Sequence, residues 1–216
     1  GAPPSSFPEP PYTTLPSVPV LREKPFLHVR PDGGWAVFVP ALRRDATGVS
    51  WRGRPAGRSV PLGDFLIADP TTPIEAINRA LAGGGHLLLT PGVYRLREPI
   101  RVPRADTVVL GLGLATLLSE AGNAAMLIAD VPGVSVAGLL IDAGPQLSPV
   151  LMEVGPKGAN RDHRANPTLL ADVVFRVGGA AVGNVGTCLE INSGHVICDH
   201  LWIWRADHGD SDSGQV

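Results

Sequence analysis

The chain of 216 residues has only two cysteines, Cys188 and Cys198, and only two lysines, Lys24 and Lys157. Two cysteines are too few to build a disulfide scaffold, and a cysteine-based zinc site needs closer or more numerous ligands. A Cys188–Cys198 disulfide and a pair of small buried thiols both remain open. Aromatic residues are only 5% of the chain, and helix-rich domains have a different composition. The net charge is −2 with no basic stripe, which excludes nucleic acid or an anionic membrane surface as the main partner. No apolar run approaches the roughly 18 residues that read as a membrane-spanning helix, so no membrane insertion is expected.

What the sequence does have is glycine (26), proline (22) and 44% hydrophobic residues against 18% charged. That mixture suits many short strands joined by turns around a sizeable core. Residues 1–25 hold eight prolines and no apolar periodicity, which predicts an extended arm. The Gly1-Ala2-Pro3-Pro4-Ser5-Ser6 start has the look of a processed terminus, so a secreted, extracellular protein is expected. Residues 26–70 read as a small β region packing on the N-terminal end of the remaining chain. In it, Phe26–Val29 and Trp35–Val39 flank the turn signal Asp32-Gly33-Gly34, a polar loop surrounds Trp51, and Phe65–Ala68 is a further short strand.

One helix stands out. Thr72 as N-cap, Pro73 at the first position and Glu75 at the third make a capping box; Ile74, Ile77 and Leu81 share a face; Gly83-Gly84-Gly85 ends it. After the helix, short apolar segments recur. Val108–Gly113, Val134–Asp142, Leu170–Val177 and Val196–Trp204 can be written over one another, at spacings of about 26 to 36 residues. Met126–Ala129, Leu151–Val154 and Cys188–Ile191 interleave with them. One such segment cannot bury its apolar side alone, whereas stacked ones share a continuous core. Residues 71–216 are thus expected to form a right-handed parallel β-helix behind a short N-terminal capping helix, an all-β architecture. A doubly wound α/β fold would need crossover helices that the stretch from Gly113 to Val196 lacks, and a β-sandwich is the other alternative. One stacking register puts Ile141, Phe175 and Trp202 in one column, Asp142, Arg176 and Ile203 in the next, and Glu153 against Glu190. Gly111-Leu112-Gly113 lacks the third glycine and the helix of a dinucleotide fingerprint.

Pro73–Leu81, the three glycines and Leu87-Leu88-Leu89-Thr90-Pro91-Gly92-Val93-Tyr94 resemble the N-terminal capping segment of the pectate-lyase-like β-helix superfamily. Within it, the chain is most similar to the laminarinase-like family 55 glycoside hydrolases, which have two tandem β-helices. Arg22–Leu27, Leu110–Leu117 and Asp199–Gly209 also resemble secreted actinobacterial proteins labelled coagulation-factor 5/8 type (discoidin) domain proteins. That resemblance implies a polypeptide continuing past the Asp207-His208-Gly209 segment.

Titratable side chains are densest in the last segment. Glycoside hydrolysis needs two carboxyl groups roughly 5 to 9.5 Å apart. Asp207 paired with Asp210 or with Glu190 can supply them, and His208 can relay a proton. Trp202 and Trp204 alternate on a strand and offer a sugar-stacking platform beside Arg205. The same corner carries oxygen and nitrogen donors in Asp199, His200, Asp207 and His208, in a spacing that matches no ligand motif. Asp210-Ser211-Asp212-Ser213-Gly214 resembles a calcium loop without its distant glutamate. No metal or cofactor is therefore called for, with calcium as the alternative. Asp162 and His163, in the long insertion from Gly155 to Pro167, form a second candidate substrate-binding pair, against the plainer reading of a solvated charged loop.

The expected function is that of a secreted glycoside hydrolase acting on a polysaccharide in a β-helix groove. The alternative is a non-catalytic, glycan-binding or structural β-helix within a larger assembly. No amphipathic segment caps the last repeat, so a C-terminal continuation or a second chain is expected to cover it.

Overall fold

Segments that repeat in the sequence repeat in space. The computed structural model describes residues 16–47, 55–179 and 182–206. Val18–Leu21 (β1), Phe26–Val29 (β2), Trp35–Pro40 (β3), Arg43–Ala46 (β4) and Gly57–Pro61 (β5) form two small antiparallel sheets, β1 with β4 and β2–β3–β5. Phe65–Ala68 (β6) leads to the helix Ile74–Ala82 (α1). Then come His86–Leu89 (β7), Val93–Leu96 (β8), Ile100–Val102 (β9), Val108–Ser119 (β10), Met126–Ile128 (β11), Ser135–Ala143 (β12), Ser148–Val154 (β13), Thr168–Val177 (β14), Val185–Ile191 (β15) and Val196–Arg205 (β16).

From β6 onward every pairing is parallel. One sheet runs β6–β7–β10–β12–β14–β16, with β8 also on β10, and the other runs β9–β11–β13–β15. The chain alternates between the two, so each passage adds one strand to each sheet.

The long strands bend at one shared position. Gly138 (φ 72°), Asp172 (φ 51°) and His200 (φ 51°) are all left-handed and stand in register. In β10 the bend falls within Gly111-Leu112-Gly113-Leu114, where the register with β12 shifts. Glycine is required at 111 and 138: a Cβ on Gly138 would lie 2.5 Å from the Gly111 carbonyl oxygen, and one on Gly111 would meet the Gly138 carbonyl oxygen more closely still. The bend splits the large sheet into two facets, and residues of both facets and of the β9 ladder share one buried core.

In-register columns fill that core: Leu87–Val109–Val136–Leu170, Tyr94–Leu117–Ile141–Phe175 and Ile100–Met126–Met152, all buried. The N-terminal end is closed by α1, whose Ile77 and Leu81 are buried. Asn78 donates to the Pro99 carbonyl (3.0 Å) and accepts the Arg101 amide (2.8 Å), which ties the helix to β9. The Tyr94 hydroxyl has one proton to share between the carbonyls of Ala68 (2.8 Å) and Thr90 (2.9 Å), so the Thr-Pro-Gly-Val-Tyr segment works as a clasp between β6 and β8.

Several expectations need correction. The helix N-cap is Pro73, with no side-chain cap, because the Thr72 hydroxyl accepts the Asp69 amide instead (3.0 Å). Phe65–Ala68 pairs parallel with β7 and belongs to the large sheet. The β2–β3–β5 sheet covers a flank of the stack, since Val37, Val39 and Val60 pack on Leu88, Val108, Leu110, Ala137, Leu169 and Ala171. Part of the stretch expected as an extended arm, Val18–Leu21, is a strand on β4, which itself occupies part of the expected polar loop. Trp51 and residues 1–15 lie outside the described residues. Cys188 and Cys198 are free thiols on strands of different sheets, and burial pushes both up in pKa. The last register is shifted by one: Phe175 pairs with Ile203, and Arg176 with Trp204. Glu153 does stand beside Glu190.

Candidate functional site

The outer surface of the second facet is built by strand alternation. Residues whose neighbours point into the core point outward here, giving the columns Thr116–Leu140–Val174–Trp202 and Leu118–Asp142–Arg176–Trp204. On the last strand the Trp202 and Trp204 rings lie 6.3 Å apart, tilted by 41°. Trp202 is 64% exposed and Trp204 37%. Beside them Arg176 forks onto Asp142, with Nε to Oδ1 at 3.1 Å and Nη2 to Oδ2 at 2.5 Å. Those hydrogen bonds raise the Arg176 pKa against the effect of its burial. Two exposed aromatic rings thus stand next to a fixed planar ion pair.

Glu190 is elsewhere. It lies on β15, in the outward column Arg101–Leu127–Glu153–Glu190 of the other sheet, and accepts the Asn192 side-chain amide (3.2 Å). The described residues therefore do not bring it to Trp202 and Trp204. Arg205 ends β16 and is exposed. Asp207, His208 and Asp210 lie outside the described residues.

The long insertion separates its two candidates. Asp162 is exposed and accepts the Arg164 amide (2.9 Å), with His195 Nε2 at 3.2 Å. The Arg164 amide leads the effects that lower its pKa. His163, expected in a solvated loop, is only 4% exposed: it folds inward, with Nε2 2.6 Å from Asp130 Oδ1. Ser193 donates to the same Asp130 oxygen (2.8 Å), and the Arg161 amide to the other (3.2 Å). Asp130 was missed by sequence reasoning. Nothing local marks it, because its partners lie 31 to 63 residues away.

A cleft of about 460 Å³ lies where the N-terminal segment meets the last strands, lined by Phe26, Lys24, Asp172, Asp199 and His200 among others. Lys24 pairs with Asp172, and His200 Nδ1 is 2.9 Å from Asp199 Oδ1. Among the described residues no group of three or more His, Cys, Asp or Glu side chains is placed to hold a metal ion. Among them, too, no helix is long and apolar enough to cross a membrane.

A family model for the LAM55 pectate lyase-like domain matches residues 65–216. The chain belongs to the LAM55 pectate lyase-like domain family. The match begins at Phe65, the first residue of β6, where the parallel sheet begins. The chain is also 54% identical over 211 residues to an exo-β-1,3-glucanase of Streptomyces sp. (strain SirexAA-E / ActE), across 97% of this chain and 35% of that protein. The solved structure of sacteLam55A from Streptomyces sp. SirexAA-E matches with a TM-score of 0.89 at 54% identity, over 97% of this chain and 38% of that one. A variant of sacteLam55A in complex with glucose, treated by ensemble refinement, gives a TM-score of 0.87 over the same shares. This LAM55 domain thus spans about a third of the length of the relatives it matches. These matches carry the family 55 side of the expected resemblance and not the discoidin side.

Proposed function

We propose that this LAM55 domain is part of an exported glycoside hydrolase acting on a β-1,3-glucan. The observation that carries the reading is the 54% identity, across nearly the whole chain, to an exo-β-1,3-glucanase. We further propose that its parallel sheets wind as a right-handed β-helix, and that the outward facet ending in Trp202 and Trp204 forms a wall of the substrate groove. Asp207, with His208 or Asp210, is the proposed source of acid–base groups, and Arg205 the flanking sugar contact. No metal or cofactor has a part in the proposed reaction. The last strand is proposed to be covered by further polypeptide, in the same chain or another, since Ile203 continues a core column yet is 57% exposed.

The test is hydrolysis of laminarin, a β-1,3-glucan, by the longest natural form of the polypeptide. Release of glucose, abolished by Asp207→Asn, supports the reading. No sugar released from any β-1,3-glucan would overturn it. A second reading, glycan binding without catalysis, is favoured by one feature: the described residues present the tryptophan pair on one sheet and Glu190 on the other. Glucan retention unchanged by Asp207→Asn, without hydrolysis, would select it.

A further inference from the structure

Away from that facet, a small pocket gathers two guanidinium groups around a single carboxylate. Arg22 follows β1 and crosses to the end of the long insertion, where Nη1 donates to the Pro167 carbonyl and Nη2 to Asn166 Oδ1, both at 2.7 Å. Asn166 in turn donates to Asp106 Oδ1 (2.8 Å). Arg58, on β5, reaches the same turn and donates to the Asp106 carbonyl (2.9 Å). With the run from Val39 to Leu42 these residues line a cavity of about 320 Å³. Its volume sits at the small end of the range for pockets that take small molecules, roughly 300–1,000 Å³.

The charges do not balance. Among the described residues that line it, two guanidiniums face one carboxylate, a single positive charge in excess. Arg22 is only 8% exposed, and its Nε is buried with no hydrogen-bond partner. Burial depresses its pKa, Asp106 counters this, and the positive charge of Arg58 depresses it further. A buried cation with an unspent donor is costly unless an anion answers it. Neutral contacts already occupy two of Arg22's donors, whereas Arg58 is exposed and holds only one of its five toward Asp106. The side chains from Val39 to Leu42 in the lining are apolar.

We propose that this pocket is a binding site for a small organic carboxylate. The carboxylate lies against Arg58 and the Arg22 side of the cavity, and its carbon skeleton packs on Val39, Pro40, Ala41 and Leu42. One negative charge neutralises the excess. The ligand is a free acid of sugar size or the acidic end residue of a glycan, and the site is separate from the proposed glucan groove.

The experiment is calorimetric titration of the whole chain with sodium glucuronate, with glucose as its uncharged twin. Saturable binding of glucuronate but not of glucose is expected. Arg58→Gln should weaken it tenfold or more, Arg58→Lys should retain part of it, and added salt should reduce it. Because Arg58 is exposed, circular dichroism of both variants should match the parent. An oligosaccharide ending in glucuronate separates the two sources: tighter binding than the free acid assigns the site to a glycan end, and weaker binding assigns it to a free acid. The proposal is overturned if glucuronate and glucose behave alike, if nothing saturates up to about 50 mM, or if Arg58→Gln leaves the affinity unchanged.

Discussion

His163 Nε2 lies 2.6 Å from Asp130 Oδ1, across a gap of 33 residues in sequence. Asp130 belongs to the turn after β11, His163 to the insertion after β13, and Ser193, which donates to the same oxygen, to the turn after β15. The contact therefore binds three successive layers at one corner. It holds the long insertion against the stack and leaves Asp162 outside, beside His195.

Removing the imidazole should loosen that corner. His163→Ala takes away one of the Asp130 side-chain donors and leaves a cavity, so a loss of about 2–3 kcal/mol is expected in urea unfolding. A change below about 0.5 kcal/mol would mean that the insertion is not anchored there.

The same carboxylate should give the stability a pH dependence. Burial pushes the Asp130 carboxyl up, but the hydrogen bonds from Ser193, His163 and the Arg161 amide outweigh it, and its pKa lies below the ordinary value. A carboxyl depressed on folding stabilises the protein above its unfolded pKa, about 3.9, and loses that contribution as pH falls through the folded value. Unfolding midpoints of the parent should fall more steeply below about pH 4 than those of Asp130→Asn. Parallel curves for the two proteins would contradict this.

Phe175 and Ile203 occupy one column with opposite surroundings. Phe175 is fully buried, and Phe175→Ala should cost about 3–5 kcal/mol. Ile203→Ala should cost less than about 1 kcal/mol in this chain, because the side chain is mostly exposed. In a longer natural polypeptide that covers β16, the cost at Ile203 should rise toward that of a buried isoleucine. Equal costs in both contexts would count against the proposed covering.

Much of the parallel stack was legible because Leu, Val and Ile recur at a spacing that only neighbouring layers can share. The register of the last layer was not. Its marker is the left-handed residue at the bend, and only Gly138 announces itself as one; Asp172 and His200 take the same conformation without being glycine. Asp and His tolerate that conformation better than most residues, so the sequence carries no sign of it there. The flank position of β2–β3–β5 was hidden for another reason. Leu88, Leu110 and Ala137 lie between inward-facing residues, and a strand with both faces covered reads as one continuous apolar run. The stacking register did place Asp142 beside Arg176, as the structure has them, whereas the contacts of Asp130 run between turns of unequal length, which spacing alone does not reveal.

Arg176 should not tolerate lysine. Its planar fork meets both Asp142 oxygens, whereas an ammonium is a point charge that cannot reproduce that geometry. Arg176→Lys should lose about 1 kcal/mol and Arg176→Met somewhat more, because Asp142 is mostly buried. Chemical unfolding of the two variants checks the order, and a lysine variant as stable as the parent would show that charge alone suffices.

The tryptophan pair offers the sharpest test of the sugar-binding facet. Trp202 is the more exposed ring, so its replacement should leave the fold nearly untouched while removing a stacking surface. If a glucan chain lies on this face, Trp202→Ala should weaken retention in affinity electrophoresis through laminarin gels by about 2–10-fold, the equivalent of an aromatic contact worth about 0.5–1.5 kcal/mol. Trp202→Phe should restore most of it, because a smaller ring still presents a flat apolar surface. Trp204 is less exposed and stands next to Arg176 across the ladder, so Trp204→Ala should reduce both retention and stability. Should Trp202→Ala migrate like the parent at every laminarin concentration, the facet does not carry the glucan, and the exposed rings belong instead to the surface that further polypeptide covers.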